Sequence, residues 1–419
     1  MIRSLSIFIW LAASTAHSLE IQSLGAFKKA LIEHAPSVIS SRESISISAR
    51  NKNSAFGALL PRLDLNSSLL FDHQSEPDPL DSSSTSLGLK ANLYNSNMDW
   101  YGYNQAQHQE KVSKLQYYTQ VSDLILRGIN SYLDFSDSAV SLEVAERRKR
   151  LVDEQFRHTK RSYESGTSTR LNFLRLQAEK KSSEFELKRA ESDFQKSKNN
   201  LEALFDQREK QIVFKPLKFG TGQKLPPITE NFEVSRHPEY SIKNEQKKIA
   251  DLEVKKAQRS YWPHVDLNTE FRKNLSGYWV KGSTSDWGTD FQTALLVSFN
   301  LFDGGQLSND LSNRRSQVII ASADMDQKRL EIDSKLKNLK IESEKLKLQV
   351  RNAIEILKIQ TEVFQSISQE YRVGNISYLD FISSLNQRLS AQKDFQSSIS
   401  SYLKIYYSSL YHQGVLLDE

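Results

Sequence analysis

The side chains that could carry out chemistry in this chain have no recognisable catalytic spacing. Its eight His are scattered, without a His-Glu-x-x-His pair or a nearby carboxylate spacing that indicates a metal site. No Gly-x-Ser-x-Gly elbow is present, and Gly304-Gly305 does not lead into a phosphate loop. Cysteine is absent, which excludes disulfides, thiolate nucleophiles and a lipid anchor on cysteine. We therefore predict no catalytic site, no metal and no cofactor.

The most informative polar residues lie instead in two similar segments that contain glycine. Residues 163–172 and 371–380 both read Tyr-x-x-Gly followed by Leu-x-Phe, and they are 208 positions apart. Gly166 and Gly374 can adopt the left-handed conformation that ends a helix, and the polar residues after them can cap the next helix. Exposed helix-to-helix turns are common binding positions, so we expect such a role for these residues: Tyr163, Gly166, Thr167, Leu171, Tyr371, Gly374, Asn375 and Leu379.

These two segments belong to a tandem duplication. The run from Leu60-Pro61 recurs from Trp262-Pro263 at an offset of 202, whereas Leu93-Tyr94-Asn95 recurs as Leu301-Phe302-Asp303 at an offset of 208. The change in offset places a six-residue insertion between the two strand-like runs of the second copy. We predict a signal peptide over 1–18, a first repeat over 19–213, a connector over 214–230 and a second repeat over 231–419.

Each copy reads as helix, strand, strand, long helix, helix. The strand predictions rest on alternation of apolar and polar residues with period two. A turn-rich loop joins the strands of each pair, from His73 to Thr85 and from Lys273 to Thr289. The apolar members of the four runs are Leu63, Leu65, Leu69 and Phe71; Leu87, Leu89, Ala91 and Leu93; Val265, Leu267, Thr269 and Phe271; and Phe291, Thr293, Leu295, Val297, Phe299 and Leu301.

The sequence predicts long helices, each with a narrow apolar face. Residues 306–373 contain neither Gly nor Pro, and 96–163 contain only Gly102 and Gly128. At about 1.5 Å per residue, each run would extend roughly 100 Å. A four-three apolar spacing typical of a coiled-coil seam runs from Ile332 to Tyr371, while most other positions are polar or charged. Such helices contact neighbours along stripes and water elsewhere.

The N-terminus predicts export. Arg3 is followed by an apolar run to Ala13, with small residues that allow cleavage after Ala16 or Ser18. No later apolar stretch is long enough for a membrane-spanning helix. The charge is nearly balanced, at +5 over 419 residues, and Lys and Arg alternate with Asp and Glu. We therefore expect no nucleic-acid partner.

The strands are typical of a membrane β-barrel with an apolar outer face and a polar inner face. A half-buried soluble sheet would show the same alternation. Tryptophans near the strand ends favour the membrane, because aromatic residues gather at bilayer interfaces: Trp100, Trp262, Trp279 and Trp287. Four strands cannot close a barrel, and an open edge is not tolerated in lipid. Two subunits would give a barrel filled by side chains, and three would leave a passage.

The chain resembles the TolC family of outer-membrane efflux and type I secretion channels over essentially all of residues 19–419. The resemblance lies in the proline-bearing helix ends, in Leu301-Phe302-Asp303-Gly304-Gly305, and in Tyr371-Arg372-Val373-Gly374 six residues before Asp380. It implies a mainly α-helical homotrimer with a twelve-stranded barrel and a periplasmic helical tunnel. It also implies docking of the glycine turns to a periplasmic adaptor (membrane fusion protein), an inner-membrane pump reached through it, and a Gram-negative outer-membrane location.

The same resemblance assigns a gate position to Asp380, with Asn172 as its uncharged counterpart in the first copy. A ring of Asp380 carboxylates would favour cations and oppose anions. Two positions depart from the family pattern, since Ser383 replaces a second Asp and Ile376 replaces an Arg that helps to close the mouth. A solvated Asp near a helix start is the simpler interpretation.

Three other interpretations remain open from the sequence. A soluble periplasmic coiled-coil scaffold or adaptor would share the helices and the leader, but it would not need alternating strands with aromatic ends. An enzyme centred on 206–230 would have too short a segment for an active site. A general porin has no need of such long helices.

Overall fold

The structure is a computed structural model that describes residues 19–21, 24–68, 84–205, 212–222, 224–228, 233–274 and 289–417. The predicted signal peptide and most of both strand-connecting loops, with Trp279 and Trp287, lie outside these residues. Part of the predicted connector, 214–222 and 224–228, is described.

The helical elements follow the predicted order in each copy. The first copy contains α1 (Leu24–His34), α2 (Pro36–Gly57), α3 (Met98–Glu164) and α4 (Arg170–Glu202), and the second contains α5 (Pro238–Arg259), α6 (Gln306–Arg372) and α7 (Tyr378–Gln413). Pro36 and Pro238 begin their helices, where a missing amide donor costs nothing. The His237 ring caps α5 by accepting a hydrogen bond from the Glu239 amide, at 3.1 Å.

Within the described residues, the long strands form one antiparallel sheet. It has the order β2 (Arg62–Ser68), β3 (Ser84–Tyr94), β5 (His264–Asn274), β6 (Thr289–Ser298). The register aligns Leu65, Leu87, Phe271 and Phe291 across all strands. Because partners across a ladder share a face, most apolar residues of the strands lie on one side of the sheet; Ala294 and Leu296 lie on the other, aligned with Asn268 and Asp266.

This apolar side is exposed in the single chain. The exposed fraction is 72% for Leu65, 70% for Phe291 and 61% for Leu295. On the opposite side, Asp64, Gly88, Glu270 and Gln292 align across the four strands. The same side also carries Arg62, Lys90 and Arg272. The predicted alternation is confirmed.

The sequence prediction for the last strand was too long. The apolar run was expected to continue through Phe299 to Leu301, but β6 ends at Ser298. Ser298 pairs with His264, the first residue of β5, so no partner backbone lies beyond it. The predicted positions Leu69 and Phe71 of the first strand lie outside the described residues.

A second, smaller sheet was not predicted. β1 (Leu19–Ile21) pairs in parallel with β4 (Ile212–Phe214). Beside it, Phe27, Tyr132 and Phe214 pack as a buried aromatic cluster, with Phe27 and Tyr132 stacked at 5.1 Å between ring centroids. The segment that follows β4 is anchored to α3, because the Tyr132 hydroxyl donates to the Lys215 carbonyl at 2.7 Å.

The chain divides into two compact units, and each contains residues from both copies. One comprises 1–40, 120–234 and 332–419, and the other comprises 41–119 and 235–331. The units are spatial, so they do not test the division into repeats, which stays a prediction. In the first unit, α6 buries the predicted seam through Ile332, Leu339, Leu346 and Val350.

Candidate functional site at the helix turns

Both predicted helix turns adopt the same backbone conformation. Gly166 and Gly374 have φ angles of +80° and +82°, which confirms the left-handed helix ends. The Thr167 amide donates to the Ser162 carbonyl at 2.8 Å, and the Asn375 amide donates to the Glu370 carbonyl at 3.0 Å. These bonds satisfy carbonyls that the ends of α3 and α6 would otherwise leave without a partner.

An aromatic cluster packs beside each turn, and the sequence analysis identified only some of its rings. In the first copy Phe173 lies 5.1 Å from Tyr163 and 5.7 Å from Phe156, measured between ring centroids. The equivalent rings of the second copy are Phe381, Tyr371 and Phe364, at 4.8 and 5.7 Å. Extending the offset of 208 residues back to Phe156 and Phe364 would have found both complete clusters.

The tyrosine side chains of the two clusters differ in their surroundings. Tyr371 is partly buried and donates to Gln155 Oε1 on α3 at 3.1 Å, and burial raises the pKa of its phenol. Tyr163 is 37% exposed and stacks on Phe173. Among the predicted docking residues, Leu171 and Leu379 have large exposed fractions, at 57% and 48%.

Asp380 and Asn172 occupy equivalent places in the first turns of α7 and α4. The Asp380 amide donates to Ser377 Oγ, and the Asn172 amide donates to Thr169 Oγ1, both at 3.3 Å. The Ser377 hydroxyl also donates to the Asp380 carboxylate at 2.6 Å. Asp380 therefore completes a helix cap while it stays exposed, and a gating role for it stays a prediction.

The structure brings the two turns together around a cleft of about 520 Å³. Residues from both copies line it, including Asn172, Arg175, Tyr378 and Leu379. Burial raises the pKa of the Tyr378 phenol, whose hydroxyl has no hydrogen-bond partner in the described part of the protein. The predicted turn residues thus form one joint surface.

Side-chain contacts define the neighbours of the helices in this unit. Gln349 on α6 donates to Ser398 on α7 at 3.4 Å, and Lys404 on α7 pairs with Asp134 on α3 at 2.5 Å. On α3, Arg148 forms an ion pair with Glu179 of α4 at 2.7 Å and a further one with Glu186. These contacts join α6 to α7, α7 to α3 and α3 to α4, and the Tyr371–Gln155 hydrogen bond also joins α6 to α3.

The helices α6 and α4 each present an apolar stripe that is exposed in the single chain. On α6, Ile341, Leu348 and Ile359 are 67%, 58% and 56% exposed. Their separations of seven and eleven residues place them on one face, roughly opposite the buried seam. On α4, the exposed stripe consists of Leu171, Leu174 and Phe185.

The junctions between strand and helix also repeat. Gly304 and Gly305 have φ angles of +69° and +87°, which confirms that they turn the chain from strand to helix. Their counterparts Ser96 and Asn97 adopt φ angles of +59° and +65° without being glycine. The Ser96 hydroxyl donates to the Pro263 carbonyl at 3.2 Å, which links the two copies near the strand ends.

The predicted interface aromatics within the described residues lie beside these junctions. Trp100, in the first turn of α3, is 51% exposed, and Trp262, just before β5, is 50% exposed. Arg259 lies over the Trp262 ring, 5.1 Å from its centroid. Trp279 and Trp287 lie outside the described residues.

No helix in the described ranges is long and apolar enough to cross a bilayer. Among the same residues, no group of three or more His, Asp or Glu is arranged to hold a metal ion. The exposed apolar sheet and the long two-faced helices ending in paired turns together define the class of outer-membrane channel proteins.

The chain belongs to the outer membrane efflux protein family, whose sequence profile matches residues 29–205 and 246–399. It is 21% identical over 333 residues to the alkaline protease secretion protein AprF of Pseudomonas aeruginosa, a match that covers 75% of this chain. That match spans 66% of AprF, just under two thirds of its length. The predicted family and channel class are confirmed.

Solved outer-membrane channels share the fold. The CmeC channel of Campylobacter jejuni superposes with a TM-score of 0.80 at 13% identity, covering 94% of this chain and 86% of CmeC. The open state of the MtrE channel of Neisseria gonorrhoeae gives a TM-score of 0.74 at 16% identity, covering 94% and 89%. The predicted fold class is confirmed by these structures, and the outer-membrane location is confirmed by the family to which the chain belongs.

Proposed function

We propose that three copies of this chain form an exit duct that passes substrates from the periplasmic side to the exterior. The carrying observation is that both the sheet and the helices have exposed apolar surfaces. Within the described ranges, β2 and β6 each have one edge without a strand partner, and α4 and α6 have exposed apolar stripes. A monomer would leave all of these surfaces without a partner.

The free surfaces differ in a way that favours a closed ring. The edge β2 differs from the edge β6, and the stripe on α4 differs from the stripe on α6, so each joint between copies must be head-to-tail. Head-to-tail contacts generate rings when the rotation closes. With four strands from each chain, three copies would supply a twelve-stranded barrel wide enough for a passage.

In this proposal, the helix turns are the docking surface for a partner protein. A periplasmic adaptor would contact the joint surface around Leu171 and Leu379, and an inner-membrane pump would act through the adaptor. Exposed leucines beside conformationally fixed turns provide apolar anchors at little entropic cost. A role in protein secretion, like that in the name of the alkaline protease secretion protein AprF, and a role in efflux both fit this arrangement. The protein would act as a conduit and carry out no catalysis.

The mass of the purified protein and its conductance in planar bilayers test the proposed ring of three copies. We expect the detergent-purified protein to be a trimer and to form channels in planar bilayers. Replacing Ile341 and Leu348 together by Asp places charges on the exposed stripe and should reduce trimer and conductance. Lys347→Asp, at an exposed position on the same helix about a quarter turn around from the stripe, is the control. A wild-type protein that stays monomeric, or that is soluble without detergent, would contradict the proposal.

A further inference from the structure

One cleft in the helical unit has an excess of positive charge. It measures about 760 Å³ and lies between α3, α6, α7 and the segment 218–221. Its charged lining consists of the basic residues Lys218, Arg147, Lys358 and Arg388 and the acidic residues Glu143 and Glu362. Glu143 is already engaged, because it accepts from Lys218 at 2.6 Å and from Arg147 at 3.2 Å. These contacts hold the pKa of Glu143 below its usual range.

Arg388 is the unusual member of this cleft. Its guanidinium lies over the Phe364 ring, 5.1 Å from the centroid, and its buried Nε has no hydrogen-bond partner within the described residues. No ion pair joins it to a described carboxylate. Burial, and then repulsion from Arg147, lower the pKa of Arg388. An anion that approaches both guanidinium groups would offset the repulsion between these two partly buried cations.

The duplication supplies an internal comparison. In the first copy Lys180 takes the place of Arg388 and lies 4.8 Å from the centroid of the Phe156 ring. Lys180 is compensated there by Asp153, at 3.8 Å. The second copy has Thr361 at the position of Asp153, and its hydroxyl donates to the Leu357 carbonyl at 2.7 Å. Both copies therefore place a cation over an aromatic ring, but only the first copy has a carboxylate at the position of Asp153.

We infer that Arg388 and Arg147 form an oxyanion site whose ligand supplies the charge that Asp153 supplies in the first copy. The ligand class is a carboxylate or phosphate group, which guanidinium groups bind through charge-assisted hydrogen bonds. Stacking on Phe364 orients Arg388 while its N–H groups stay available, and Thr361 lines the same cleft. The source is a free oxyanion or an acidic side chain of a bound polypeptide.

Titration of the full-length detergent-purified protein tests this site. Inorganic phosphate, at ionic strength matched with chloride, should raise the thermal unfolding midpoint of the wild type. In Arg388→Gln the apparent phosphate affinity should fall by about tenfold or more, since charge-assisted hydrogen bonds are lost. Arg351→Gln, a change on α6 outside the cleft lining, should leave the affinity unchanged.

A second variant separates loss of the site from loss of the fold. Thr361→Asp restores the carboxylate of the first copy, so it should raise the unfolding midpoint in chloride and abolish the further rise in phosphate. A phosphate response in both Arg388→Gln and Thr361→Asp equal to that of the wild type would overturn the proposal. Trimer mass and conductance are measured on the same samples, so a failure here is distinguishable from a failure of the channel assignment.

Comparison of probes assigns the source of the anion. A decapeptide of Glu residues that competes with phosphate at lower concentration indicates a polypeptide side chain, and the reverse order indicates a free oxyanion. In either case the response must depend on Arg388. Binding of both probes that is unchanged in Arg388→Gln would show that the excess charge of the cleft is not a site.

Discussion

The Ser400 hydroxyl on α7 donates a hydrogen bond of 2.6 Å to the Asp137 carboxyl group on α3. Burial raises the pKa of Asp137 to about 6, against the opposing effects of Ser400, Lys404 and Gln396, and with a further rise from Asp134. The folded protein therefore binds a proton at Asp137 more tightly than the unfolded chain does.

This relationship predicts a stability that depends on pH. The stabilisation from protonated Asp137 is fully present below pH 3.8 and is lost as the pH rises through about 6. Asp137→Asn should therefore raise the unfolding midpoint at pH 7.5, by an amount equivalent to roughly 1–3 kcal/mol, and flatten its dependence between pH 5 and 7.5. Thermal unfolding across this range checks the effect. Asp134→Asn, at an exposed ion pair, should change little, and equal responses of the two variants would contradict the assignment.

Two glycines of α3 should respond oppositely to the same substitution. A Cβ at Gly128 would lie 2.7 Å from Leu31 Cδ2 and 2.8 Å from Phe27 Cε1, and both side chains are fully buried. Gly128→Ala should therefore destabilise by roughly 1–3 kcal/mol. Gly102→Ala meets nothing within 4 Å and should stabilise by about 0.5–1 kcal/mol through lower chain entropy. Unfolding midpoints of the pair test this; two shifts of the same sign would exclude the close approach.

Gln396 should determine how firmly the connector is held. Its amide donates to the Leu217 carbonyl at 3.1 Å and accepts from the Phe219 amide at 3.3 Å, and the side chain is buried. Gln396→Leu should lose both bonds and leave two backbone groups short of partners, which costs about 1–3 kcal/mol each. Trypsin should then cleave after Lys218 faster than in the wild type or in exposed Gln387→Leu. Unchanged cleavage would mean that other contacts hold this segment.

Asp380 and Asn172 allow a reciprocal test of the gate prediction. If the Asp380 carboxylates narrow the mouth, Asp380→Asn should weaken block of the single-channel current by divalent cations, because a ring of like charge attracts them. Asn172→Asp should strengthen the block at the equivalent place in the first copy. Planar-bilayer recordings over a cation series provide the measurement. The same block in all three proteins would leave Asp380 with its capping role alone.

The local features of the fold could be predicted from the sequence. Period-two alternation placed Leu65, Leu87 and Phe291 on one face, because side-chain direction in a strand follows from position alone. The offset of 208 residues identified the turns at Gly166 and Gly374 as equivalent. Left-handed backbone occurs at Gly304 and Gly305, where glycine allows it, and at Ser96 and Asn97, where only a transfer along the repeat would have indicated it.

Features that depend on distant segments could not be predicted. The three residues of β1 have too short a pattern for a strand, and their partner in β4 lies far along the chain. Arg147 and Arg388 are adjacent only because α3 packs against α7. The end of β6 at Ser298 was set by the start of β5 rather than by its own apolar pattern.

The pairing of β1 with β4 also constrains the order of assembly. The backbone of Leu19–Ile21 has its hydrogen-bond partners in Ile212–Phe214, so the beginning of the exported polypeptide cannot be ordered until synthesis has passed that point. Until then, Leu19–Ile21 gains no order from this small sheet. Strand β3 has to wait for a still later segment, because its partner β5 begins at His264.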